Sequence, residues 1–197
     1  MPHADSSFIP DTITTKTEFY EHVLTHLEGL LEGERYWVTN LAQTAAILYH
    51  SYLGSALYGG ESHKPVVNWT GFYLHPPSHP SSSSGSTTPL LLGPYQGRPA
   101  CLSISIATSS TRSTLGVCAQ SYLSRKTVIV PDVEAHPGHI ACDGETKSEI
   151  VLPLLSTDGS VIGVLDLDST ALNTFDEHDK EGLEKVVELL QAGCDWS

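Results

Sequence analysis

Positive charge is scarce in this chain. Its 197 residues hold 10 Lys and Arg against 23 Asp and Glu, for a net charge of −13. Binding a polyanion normally needs clustered Lys and Arg that release counterions, so nucleic acid and anionic membrane are excluded as expected partners. A small cationic or zwitterionic ligand fits better. Long apolar runs are also missing, and no membrane span is expected. The N-terminus MPHADSSFIPD lacks the basic and apolar regions of a signal peptide, which makes a cytoplasmic location the expectation. Cysteine is sparse: the four present read as free, catalytic or metal-binding thiols, not as a structural disulfide framework. The length suits one domain with a full core.

What is present organises that domain. Residues 1–14 read as an N-terminal tail. From about Thr15 to Glu32, Phe19, Val23, Leu24, Leu27, Leu30 and Leu31 recur at helical spacing, and a second helix is predicted from about Arg35 to Tyr52. Strands are predicted at Val66–His75, Leu90–Leu92, Cys101–Ala107 and Thr127–Val130, with a short helix at about Ser113–Leu123. The Pro/Ser-rich stretch at about 76–89 has almost nothing to bury and reads as an exposed insertion. Pro131–Thr146 reads as a loop. Thr174, with Glu177 three residues on, suggests a capping box for a final helix whose Leu183, Val186, Val187 and Leu190 face the core. Because hairpins dominate the strand connections, the fold class is α+β with a largely antiparallel sheet and helices against it.

The chemistry concentrates between His139 and Ser169, HIACDGETKSEIVLPLLSTDGSVIGVLDLDS. Asp158-Gly159 between two runs of β-formers predicts a two-residue type I′ hairpin. That turn sets Thr157 opposite Ser160, Val151 opposite Asp166 and Glu149 opposite Asp168. Opposed residues share a face, so Glu149, Asp166 and Asp168 fall together. A solvated acidic face is the bland explanation. It conflicts with the rest of that face, where Val151, Pro153, Leu155, Ile162 and Val164 are expected beside the acids, with Ile150, Leu152, Leu154, Val161, Leu165 and Leu167 opposite. A sheet apolar on both sides is covered on both sides, which leaves the acids at one end of a buried surface, most simply in a cleft.

Cys142 precedes Glu149 by seven residues in a loop that can fold over this acidic end. A loop thiol can reach a substrate and then a second thiol, for which Cys101 and Cys118 are candidates. Cys194 falls past the final helix, in what reads as an exposed tail. His136, His139 and Cys142 recur every three residues, yet a fourth ligand at zinc-like spacing is missing, so no metal is expected. Trp69 and Tyr73 share a strand face and suit either core packing or the wall of an apolar pocket, for which a thioether or S-methyl group is a natural occupant.

These segments, in order, resemble the free methionine-(R)-sulfoxide reductases, a family built on the GAF fold. The resemblance rests on NWTGFYL at Asn68–Leu74, LLLGPYQGRPAC at Leu90–Cys101, LGVC at Leu115–Cys118, GHIACD at Gly138–Asp143, SEIVLPL at Ser148–Leu154 and IGVLDLDS at Ile162–Ser169. It implies a single GAF-like domain over 15–192, with a sheet of about six strands. It implies an oxidoreductase acting on free L-methionine (R)-sulfoxide, with Cys142 as nucleophile and Cys101 and Cys118 as recycling cysteines. Glu149, Asp166 and Asp168 would recognise substrate and aid catalysis, and Trp69 and Tyr73 would wall its methyl end. Thioredoxin is the implied reductant, no bound cofactor is called for, and a homodimer is the implied assembly. The stretch ATSSTRST from Ala107 to Thr114, and Ala119 in place of glycine, depart from the pattern beside Cys118, so Cys101 is taken as the principal resolving thiol. Since many GAF proteins are sensors, the alternative is a non-catalytic module that binds a small molecule.

Overall fold

A computed structural model describes residues 8–59, 65–75, 89–107, 114–137 and 144–196. Helix α1 (Lys16–Leu31) starts at a reciprocal cap: Thr15 Oγ1 accepts from the Glu18 amide, and Glu18 Oε2 accepts from the Thr15 amide. It buries Phe19, Tyr20, Val23 and Leu27. Helix α2 (Trp37–Gly54) follows and buries Leu41, Ala45, Leu48 and Tyr52. Six strands come next, interrupted by α3 (Val117–Ser124) and closed by α4 (Glu177–Gly193). They are β1 (Val67–Leu74), β2 (Leu90–Gly97), β3 (Ser103–Ile104), β4 (Val128–Val130), β5 (Ser148–Leu155) and β6 (Val161–Ser169). The sheet runs in the order β3-β2-β1-β6-β5-β4, and every neighbouring pair is antiparallel, as the hairpin-rich sequence predicts.

Both faces of the sheet are covered. Ile150, Leu152, Leu154, Leu165 and Leu167 pack with the apolar stripes of α1, α2 and α4, while Val151 and Val164 join Trp69, Tyr73 and the start of α3 on the other side. Ile9 and Ile13, ahead of α1, also pack on the helix-side core. Among the described residues no helix is long and apolar enough to cross a membrane.

The carboxylate register holds, but the turn differs from the prediction. Glu149 pairs with Asp168 and Val151 with Asp166. Only Gly159 of the Asp158-Gly159 pair takes a positive φ, +80°, so the turn is not type I′. Instead the Gly159 amide bonds the Ser156 carbonyl at 2.9 Å, Asp158 Oδ1 accepts from the Ser160 amide at 2.8 Å, and the loop is one residue longer. A bulge cancels the extra residue, because Leu155 pairs with Val161 while Leu154 pairs with Gly163. Ile162 is the bulged residue and packs on the helix-side core, not beside the acids.

Other expectations are corrected in the same way. Strand β2 runs on past Leu92 to Gly97, since an irregularity between Gly71 and Tyr73 absorbs Gly93-Pro94, and a bulge tolerates proline. Of Cys101–Ala107 only Ser103–Ile104 is strand. Helix α4 is capped by Asp176 with Asp179, not by Thr174 with Glu177; Thr174 Oγ1 instead bonds Ser169 Oγ at 2.6 Å. Cys194 is not in an exposed tail: it is 3% exposed at the end of α4, where Asn40 Nδ2 meets its sulfur at 3.5 Å. The Pro/Ser-rich insertion lies outside the described residues except for Pro89.

Candidate active site

Pairing across three strands builds the site. Trp69 on β1 lies beside Asp168 on β6, which lies beside Glu149 on β5; one step along, Gly71 lies beside Asp166 and Asp166 beside Val151. Strand periodicity turns Trp69, Tyr73, Glu149, Asp166 and Asp168 to one face. That face meets the start of α3, and the five residues line one small cavity of about 40 Å³ with Cys118, Thr146, Ala100, Ile104, Gly116 and Val117.

One wall is aromatic. The indole of Trp69 stacks between Tyr73 (centroids 5.8 Å apart, planes at 22°) and Tyr95 (5.5 Å, 17°). Gly71 makes room for it: a Cβ there would come within 2.3 Å of Tyr95 Cβ and 2.5 Å of the indole. The phenol of Tyr73 donates to the Cys101 carbonyl at 3.1 Å. Burial and the neighbouring Asp166 push that phenol far above its ordinary ionisation range, so it stays a donor.

The opposite end is acidic. Carboxylate oxygens of Glu149 and Asp166 and the sulfur of Cys118 lie within 4.8 Å of one another, all buried. Cys118 Sγ donates to Asp166 Oδ2 at 3.3 Å. Burial, then the charge of Asp168, raises Glu149 well above the usual carboxylate range; burial, then the charge of Glu149, does the same to Asp166. The protonated form is therefore favoured in both, and a carboxyl that holds a proton can donate as well as accept. Burial and the Asp166 charge also push Cys118 well up, so this thiol is protonated and a poor first nucleophile.

Three residues that line this cavity each carry a buried polar atom with no hydrogen-bond partner among the described residues: Trp69 Nε1, Thr146 Oγ1 and Asp166 Oδ1. Buried polar groups are normally satisfied, so two orphan donors and an orphan acceptor in one cavity mark the outline of a polar ligand. Thr146 and Tyr95 escaped the sequence reading. Thr146 sits in a segment that reads only as loop, and Tyr95 lies beyond the Gly-Pro that looked like the end of a strand.

Cys101 is held in a disulfide, whereas Cys118 and Cys194 are free thiols. Cys142 and His139 lie outside the described residues, as do all of GHIACD and most of ATSSTRST. Lys147, one residue before β5, is engaged by Glu134 at 2.8 Å. His136 Nε2 lies 3.0 Å from Gln120 Nε2.

The GAF domain family model matches residues 18–192. The free methionine-R-sulfoxide reductase of Saccharomyces cerevisiae is 40% identical over 179 residues, covering 91% of this chain and 87% of the yeast protein. A solved GAF domain shares 38% identity at a TM-score of 0.81, covering 100% of this chain and 98% of the other. The free methionine-R-sulfoxide reductase of Neisseria meningitidis, solved in complex with its substrate, is 36% identical with a TM-score of 0.73, over 94% of this chain and 92% of that one. By this family match, and by identities of 36–40% over most of the chain, the protein belongs to the GAF-domain family and, within it, to the free methionine-(R)-sulfoxide reductases.

Proposed function

We propose that the chain reduces free L-methionine (R)-sulfoxide to L-methionine through a cysteine sulfenic acid and a disulfide recycled by thioredoxin. The observation that carries this reading is one cavity with a buried carboxyl pair at one end, Glu149 and Asp166, and a stacked aromatic wall, Trp69 and Tyr73, at the other. The acids suit a substrate ammonium, and the rings suit an S-methyl group.

Cys142 attacks the sulfoxide sulfur while the proton held by the Glu149–Asp166 pair stabilises the sulfoxide oxygen. The S–O bond breaks, oxygen passes to Cys142 as a sulfenic acid, and methionine leaves with the two electrons. The Cys101 thiol then attacks the sulfenic sulfur, a disulfide forms and water departs. A thioredoxin dithiol reduces that bond by exchange and is itself oxidised. The disulfide at Cys101, beside free thiols at Cys118 and Cys194, supports Cys101 over Cys118 as resolving partner. The raised, protonated state of Cys118 supports the same choice. Trp69 Nε1 and Thr146 Oγ1 are the donors available to the oxygens of the substrate.

Following NADPH oxidation with thioredoxin, thioredoxin reductase and the free sulfoxide tests the reading. Turnover that vanishes in Cys142→Ser supports it; binding of the sulfoxide without any turnover would favour a sensor module.

A further inference from the structure

We propose that Cys118, Glu149 and Asp166 form a binding site for a thiophilic divalent cation of the zinc class. The three offer a sulfur and two carboxylate oxygens that lie within 4.8 Å of one another and are buried. Zinc binds thiolate at about 2.3 Å and carboxylate at about 2.0–2.2 Å in a tetrahedron, which spaces ligand atoms roughly 3.5 Å apart. Cys118 Sγ and Asp166 Oδ2 already stand 3.3 Å apart.

An independent feature of Asp166 also points to a ligand. Among the described residues its Oδ1 has no hydrogen-bond partner, the residue is 6% exposed, and it lines the cavity. A mixed sulfur and carboxylate set favours zinc, cadmium or cobalt over magnesium or calcium, which prefer oxygen alone. The cavity, about 40 Å³, leaves room for a fourth, non-protein ligand. Binding exchanges protons for the ion: the Cys118 thiol proton and the proton kept by the carboxyl pair leave to solvent as the bonds to metal form.

The site overlaps the acidic end assigned above to the substrate ammonium. If that assignment holds, ion and amino acid exclude each other, and zinc-class cations inhibit the enzyme while they mask Cys118.

Cobalt(II) titrated anaerobically into the reduced, full-length protein tests the proposal. The expected result is one tightly bound equivalent with a near-ultraviolet thiolate-to-cobalt absorption. That band should disappear in Cys118→Ser, persist in Cys194→Ser, and bleach when zinc is added. Glu149→Gln should weaken cobalt binding by roughly tenfold or more with the thiol intact, which guards against a misfolded Cys118 variant. Absence of tight cobalt binding, or a thiolate band that survives Cys118→Ser, overturns the site. Turnover by metal-free protein, measured in parallel, reports on the proposed function separately, so either reading can fail alone.

Discussion

The phenol of Tyr73 donates a hydrogen bond to the backbone carbonyl of Cys101, 3.1 Å away. The same ring stacks on Trp69, so one side chain spans the wall of the cavity and the backbone of a disulfide-bonded cysteine. The geometry fixes the Cys101 backbone relative to the cavity in which the proposed reaction would hold its substrate.

Tyr73→Phe keeps the ring and removes this tie. A hydrogen bond of this kind contributes about 0.5–1.5 kcal/mol, so the disulfide-forming step should slow by roughly twofold to thirteenfold. Methionine release in the same turnover should change less. Rapid quenching with a thiol-alkylating reagent separates the two steps; equal slowing of both would show that Tyr73 acts on substrate alone.

Asp166→Asn should separate stability from activity. Burial and Glu149 raise the Asp166 carboxyl in the folded protein, so the fold favours its protonated form. Its stabilising contribution is complete below the unfolded value, about pH 4, and is lost as pH rises through the raised folded value. The amide has no such loss. Its melting temperature should therefore exceed that of the wild type at about pH 7–8, on a scale of about 2–4 °C per kcal/mol, with the gap closing towards about pH 4. Turnover should fall by about a hundredfold or more through loss of proton donation and ammonium binding. Thermal melts across pH, with kinetics at neutral pH, check both halves; an Asn variant less stable at neutral pH than at pH 4 relative to wild type would reverse the sign.

Asp179→Ala should do the opposite. This fully buried carboxylate pairs with Lys16, accepts the Tyr20 phenol at 2.9 Å and the Tyr58 phenol, and closes the α4 capping box through the Asp176 amide at 2.8 Å. Removing it takes away the buried partner of Lys16, which keeps only Asp176 and the Thr174 carbonyl, and the acceptor of two buried phenols, at a cost of about 3–5 kcal/mol. Denaturant unfolding should register that loss while activity per folded molecule at low temperature stays close to wild type, because the cluster sits on the helix side of the sheet.

The site was legible where strand periodicity carried it. Glu149, Asp166 and Asp168 fall on one face by counting alone, and the count survives an error in the turn because the bulge at Ile162 restores register. Ile162 itself could not be placed, since one inserted residue reverses a side chain's face and nothing local announces it. The α4 cap was ambiguous because Thr174-x-x-Glu177 and Asp176-x-x-Asp179 both satisfy the spacing, and the choice falls to the tertiary pull of Lys16 on Asp176 and Asp179. Cys194 is buried by Asn40 and α2, far away in sequence. Thr146 and the Tyr95 stack are likewise tertiary features: a hydroxyl becomes informative only once its burial without a partner is known.

Substrate choice should follow the acidic end. Free methionine sulfoxide carries an ammonium that buried carboxylates can pair with, whereas an N-acetylated, C-amidated form does not. Lost pairing costs on the order of 1–3 kcal/mol, so kcat/KM for the blocked form should drop about tenfold or more. Equal kcat/KM values would remove the ammonium from the role given to Glu149 and Asp166.

The most direct test of the proposed reduction is a single turnover without thioredoxin. Fully reduced protein is mixed with resolved (R) and (S) isomers of free L-methionine sulfoxide, and methionine and protein thiols are counted after quenching. The (R) isomer should yield one methionine per protein with loss of two thiols, Cys142 and Cys101, and the (S) isomer should yield none. No methionine from the (R) isomer, or methionine formed equally by Cys142→Ser, would contradict it.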